Sequence, residues 1–290
     1  MKVNNFVIML SLLMVVGCSD NEKPYFGESL EGSPSNDSQN GWGGINPGPP
    51  EKLLKIVFLH HSCGKNLLDD GLRKKLKENN YQITSITYGD EWFGNHTDPP
   101  DFPVTFDKYI DRILTWKLPE IQRYNIVMFK SCYPASAIKS DEMLRRYKEW
   151  YKSLVPVFKK YNNILFVSFS PPPLHPKATN KDEALRAHRF ANWLKKEYSS
   201  YSNNIASFDF FNFLSDPNQH TLRFKYRRTE SETLKRLSFF RRIKTKFCKM
   251  FIKREWDYDS HPNSFANKQA ASAFIPWINR TVRESGISDR

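Results

Sequence analysis

Five short β-rich runs, separated by segments of helical periodicity, constrain this chain more than any other feature. Residues 54–61 (LKIVFLHH), 81–88 (YQITSITY), 125–130 (NIVMFK), 163–170 (NILFVSFS) and 205–211 (IASFDFF) each read as a strand. Helices are expected between them over 65–79, 106–118, 140–161 and 181–198, with a last one over 264–282. Leu67, Leu68, Leu72 and Leu76 carry the period of the first. Ser140 is a candidate N-cap, and Pro156 should kink or interrupt the long helix that follows it. Strict alternation of the two element types implies a parallel sheet of about five strands with helices on both faces. In such sheets ligands bind beyond the carboxyl ends of the strands, so the residues just after each strand are the place to look for chemistry.

The first 51 residues stand apart from this pattern. Lys2 precedes an 11-residue apolar run over 6–16, too short for a bilayer span of roughly 20 residues but suited to a signal peptide. Val15-Val16-Gly17-Cys18 resembles a bacterial lipobox, which implies a signal peptide over 1–17 and lipidation of Cys18. Residues 18–51 are rich in Gly, Pro, Ser and Asn with no apolar period, the composition of a flexible tether. The remainder, 52–290, is expected to be one domain. Export would leave the protein lipid-anchored outside the cytoplasm, on the outer membrane if the host is Gram-negative.

Charge is unevenly placed. The chain carries +13, yet residues 223–254 hold 13 Lys and Arg against Glu230 and Glu232, a local +11. A near-neutral body with one basic segment does not fit a general nucleic-acid binder, and no nucleic-acid partner is expected. Within the basic helical insertion at about 223–256, residues 231–256 place Leu234, Leu237, Phe240, Ile243 and Phe247 at helical spacing among the cations. Three readings fit: a helix packed on the domain, an interfacial helix on an anionic membrane, or a lid over a site.

The residues after the strands are catalytic in type. His60-His61-Ser62-Cys63-Gly64 follows the first strand, placing a serine hydroxyl at a strand-to-helix turn. Gly89-Asp90 follows the second, with Gly94 close behind. Ser131-Cys132-Tyr133-Pro134 follows the third and a triple proline the fourth. Asp257-Tyr258-Asp259-Ser260-His261-Pro262-Asn263 precedes the last helix. An early serine with a late Asp/His pair makes a nucleophile, base and orienting acid by role.

FLHHSCGKN followed far downstream by DSHPN resembles the SGNH/GDSL hydrolase superfamily, in a divergent branch whose first block reads HHS. The resemblance implies a three-layer α/β/α, flavodoxin-like fold and an esterase needing no cofactor. It implies Ser62 as nucleophile, His261 as general base, and Gly89 as an oxyanion-hole donor beside the Ser62 amide, with Gly94 a poorer match. Two departures stand out. The superfamily's oxyanion Asn has no counterpart in FKSCYPAS, where Ser131 or Lys130 would have to substitute. The usual acid position, three before the histidine, is Tyr258, so Asp259 and Asp257 both remain candidates.

His60 and His61 have no second His/Cys pair at zinc-like spacing, so no metal is expected. Gly64 is expected to allow a tight turn and close substrate approach, His61 to be a buried neighbour of the site, and His175 to be a turn residue. Cys63 and Cys132 follow adjacent strands and could form a bridge or remain two thiols. The expected substrate is an acylated carbohydrate or small ester in the cell envelope, with acyl transfer using the same residues. The alternative is a weakly active or inactive envelope lipoprotein that binds glycan or an anionic membrane surface.

Overall fold

The computed structural model describes residues 48–94, 96–223 and 259–287. Five strands, β1 (Leu54–Leu59), β2 (Tyr81–Ile86), β3 (Ile126–Lys130), β4 (Leu165–Phe169) and β5 (Ile205–Phe208), form one all-parallel sheet in the order β2-β1-β3-β4-β5. Together with its helices this is a three-layer α/β/α, flavodoxin-like fold. β1, β3 and β4 are almost wholly buried, so they read as continuous apolar runs rather than alternating ones.

Alternate strand residues feed two cores. One holds Val57, Leu59, Val127, Phe129 and Phe166 under α3 (Phe102–Thr115), α4 (Asp141–Lys160) and α5 (Lys181–Lys196). Phe158 stacks on Phe166 there, at 3.8 Å between ring centroids. The other holds Ile56, Phe58, Met128, Val167 and Phe169. It is covered by α1 (Ser62–Leu67), α2 (Arg73–Lys77), α6 (Phe210–Leu214) and the last helix, α7 (Ser264–Glu284).

Three expectations change in detail. The helix expected over 65–79 begins earlier, at Ser62, and is broken by a π-turn at Leu68–Leu72. There Gly71 takes φ +125°, which a side chain rarely adopts. Pro156 does not end α4, which continues to Lys160, and Ser140 caps it by accepting the Met143 amide at 3.1 Å. The fifth strand is shorter than expected because Asp209 caps α6, its side chain accepting the Asn212 amide. Among the described residues no helix is long and apolar enough to cross a membrane.

The chain leaves β1 for β2 on one side and returns to β3 on the other, so the crevice of this sheet lies beyond the ends of β1 and β3. The residues that follow those two strands, 60–63 and 131–133, therefore meet there.

Candidate active site

Ser62 owes its place to an abrupt turn. His61 is extended (φ −105°, ψ −161°), and the helix starts at the next residue. Gly64 is required for packing and not, as expected, for close substrate approach. A Cβ on it would lie 2.4 Å from His60 Cβ, so this glycine lets α1 close onto His60 rather than onto a substrate. His60 is buried, its Nδ1–H donates to the His61 carbonyl at 2.9 Å, and burial pushes its pKa down to about 4. His60, and not His61 as expected, is thus the buried histidine beside the site. His61 is the partly exposed one, its ring 4.7 Å from that of Tyr88.

His261 arrives from the loop before α7. His261 Nε2 lies 2.7 Å from Ser62 Oγ, across 199 positions of sequence. Asp259 Oδ1 accepts from the His261 backbone amide at 3.0 Å and lies 2.5 Å from His261 Nδ1. The double acceptance is a tight Asx turn, which explains an acid two residues before the histidine. Of the two candidate acids, Asp259 therefore holds the imidazole, and Asp257 lies outside the described residues. Asn263 follows as the N-cap of α7, accepting the Ala266 amide at 2.9 Å. The Tyr133 ring meets the imidazole edge-on at 4.9 Å. His175 is a turn residue as expected. Its amide donates to Ser260 Oγ at 2.9 Å, tying the turn after β4 to the histidine loop.

Of the residues that follow β3, Cys132 reaches the site. Its Sγ lies 3.3 Å from Ser62 Oγ and 3.3 Å from Cys63 Sγ, and both cysteines are free thiols. Behind them Lys130 is fully buried, donating to the Ser131 carbonyl at 2.8 Å, with its ammonium 5.2 Å from the centre of the Phe210 ring. A hydrogen bond from Cys63 pulls the Cys132 pKa down to about 3. Burial opposes this, while His261, Lys130 and Ser62 add to it. Burial pushes the Cys63 thiol well up. Burial lowers the His261 pKa, but hydrogen bonds with Asp259 and Cys132 outweigh it and raise the value to about 9.

The expected oxyanion donors fare differently. Gly89 lies on an exposed turn and its amide donates to Thr87 Oγ1 at 3.2 Å. The Gly94 amide is taken by the Asp90 carbonyl at 3.1 Å. Gly89 instead lines a groove of about 480 Å³ with Asp90, Trp92, Arg112 and Trp116. Ser131 is buried beside Tyr151 and makes no hydrogen bond to Ser62 or His261, because strand alternation turns it away when Cys132 faces the site. That leaves the Ser62 amide, at the first turn of α1 where no intrahelical partner exists. Expecting no metal ligands rested on sequence spacing. In space, the ligand atoms of Cys63, Cys132 and His261 all lie within 4.8 Å of one another. The signal was present as two cysteines after neighbouring strands, but sequence alone did not aim them at the histidine. Cys18, Cys248 and nearly all of the basic insertion lie outside the described residues.

No protein-family model matches the chain, and no curated protein matches it. Among solved structures it is similar to a Streptococcus pneumonia protein provisionally described as a platelet activating factor. The two share 12% identity at a TM-score of 0.46, over 83% of this chain and 88% of that one.

Proposed function

We propose that this protein is a serine esterase of SGNH type that removes acyl groups, acetyl foremost, from a carbohydrate or other small ester in the cell envelope. The observation that carries the reading is the hydrogen-bonded chain from Ser62 Oγ through His261 to Asp259 at the carboxyl end of β1. Ser62 Oγ attacks the ester carbonyl as neutral His261 takes its proton on Nε2. Nδ1–H donates to Asp259, which keeps the ring oriented and stabilises the imidazolium. The Ser62 amide donates to the developing oxyanion. His261 then returns the proton to the leaving alcohol, and water clears the acyl-enzyme by the same route.

A fluorophosphonate probe, which needs an activated serine, is expected to label the wild-type chain and to leave Ser62→Ala unlabelled. Equal labelling of the two would refute the assignment. The occupied Gly89 amide and the inward-turned Ser131 favour a second reading, an envelope lipoprotein with weak or no turnover that binds glycan. It is supported if wild type is not labelled at all. Losing one oxyanion donor costs about 3 kcal/mol in comparable enzymes.

The lipobox supports anchoring at Cys18, with the basic segment as a second membrane contact. Labelled palmitate is expected in the wild-type chain and not in Cys18→Ala. Its absence from wild type would leave an ordinary secretory signal.

A further inference from the structure

We propose that Cys63, Cys132, His261 and Ser62 together form a site for one thiophilic d¹⁰ dication of the Zn²⁺ and Cd²⁺ class, whose binding silences the site. Cation binding is independent of the esterase reading. Only the silencing rests on it.

Four donor atoms lie in contact along one chain, from His261 through Ser62 and Cys132 to Cys63. Ser62 Oγ is 2.7 Å from His261 Nε2 and 3.3 Å from Cys132 Sγ, which is 3.3 Å from Cys63 Sγ. The sulfurs and the imidazole ligand atom lie within 4.8 Å of each other. A tetrahedral ion with bonds of about 2.3 Å to sulfur and 2.0–2.1 Å to nitrogen needs donors roughly 3.3–3.8 Å apart. The two contacts of Cys132, both 3.3 Å, sit at the lower end of this range, and the 2.7 Å Ser62–His261 pair falls about 0.6 Å below it, since a proton bridges those donors. Replacing the bridging proton by an ion opens the cage.

The surroundings suit such an ion. Asp259 at His261 Nδ1 is the carboxylate–histidine arrangement that fixes the imidazole with Nε2 free to ligate. Two sulfurs select a soft ion over Mg²⁺ or Ca²⁺, which take oxygen. Two thiolates cancel the dication's charge, so the buried Lys130 ammonium faces no added positive charge. Ser62 and His261 remain partly exposed and give access, while Cys63 closes the floor.

The step is an exchange of protons for a cation, with no redox change. The two protons shared among Cys63, Cys132 and His261 pass to solvent. Two S–metal bonds and one N–metal bond form, and the Ser62 hydroxyl coordinates as a neutral fourth donor. Nε2, once coordinated, has no lone pair for the Ser62 proton.

The test is titration of the full, reduced chain with Cd²⁺ alone, reading the ultraviolet thiolate-to-Cd²⁺ charge-transfer band. The band is expected to saturate at one equivalent and to be displaced by Zn²⁺. Cys132→Ser and Cys63→Ser are each expected to lose it, and Cys248→Ser to keep it. Asp259→Asn is expected to weaken the affinity roughly 10–100-fold. One equivalent of Zn²⁺ should also prevent fluorophosphonate labelling, with recovery in a chelator. The site is refuted by the absence of a band, by a band surviving in the Cys63→Ser/Cys132→Ser double variant, or by a band lost in Cys248→Ser. A Cys63–Cys132 disulfide that reductant does not open would refute it equally. A band in a protein that the probe never labels keeps the cation site and overturns the esterase reading alone.

Discussion

Asp259→Asn is expected to lower kcat/KM toward a short-chain aryl acetate by about 10⁴-fold, with Ser62→Ala and His261→Ala at least as damaging. The three act as one unit, so combining the changes should add little to the worst single loss. For Asp259 the cause is tautomeric. An amide at that position offers an N–H where the carboxylate accepts Nδ1–H at 2.5 Å. The imidazole would then present a proton, not a lone pair, to Ser62. Because these groups act in the transition state, the fall should appear in kcat with KM little changed. Steady-state rates for the three variants beside Asp257→Asn check this, with Asp259→Asn the more damaging of the two aspartate changes. An Asp259→Asn enzyme with wild-type kcat would show that the imidazole needs no acid here.

Cys132→Ala is expected to raise the rate at neutral pH and to move the acid limb of the pH profile down. His261 must be neutral to accept the Ser62 proton, and its pKa is raised to about 9 by Asp259 and Cys132 against the opposing effect of burial. Activity should therefore fall as pH drops through about 9, leaving most of the enzyme protonated at pH 7. Removing the sulfur takes away one hydrogen bond and one negative charge that favour the imidazolium, while Asp259 keeps its own share. Each unit by which the limb moves is about tenfold in rate at pH 7. Profiles of kcat/KM from pH 5 to 10 for wild type and Cys132→Ala decide the matter. A limb at the same pH in both would show that Cys132 does not set the protonation of the base.

The order of strands and helices was legible because a doubly covered parallel sheet writes itself as apolar runs separated by helical periods. Ser62 and His261 were legible too, since both sit in short polar blocks directly beside those elements. Between Asp257 and Asp259 the sequence offered no decision. The choice depends on whether the loop folds as an Asx turn, and that follows from the backbone amide of His261 bonding to Asp259. The oxyanion donors were not legible, for a different reason. Gly89 was placed by block order, but its amide is held inside its own turn by the Thr87 hydroxyl. Ser131 was chosen for its hydroxyl, although alternation along an extended chain assigns the site-facing position to its neighbour Cys132. Gly64 stands out in the sequence as a turn glycine, but the contact that requires it is His60, and a packing clash cannot be seen in one dimension.

The break between α1 and α2 also bears on how Ser62 and His261 are brought together. Asp70, inside that break, accepts Ser264 Oγ and Asn267 Nδ2, both at 2.7 Å, from the first turn of α7. The segment carrying Ser62 is thus laced to the segment carrying His261 by a second, independent bridge, 194 positions apart in sequence. During synthesis the serine leaves the ribosome long before its base does. On the esterase reading, chemical competence would be withheld until α7 had docked against the sheet and Asp70 had found its partners. A growing or half-unfolded chain would hold an inert serine, and activity would report on completion of the fold itself.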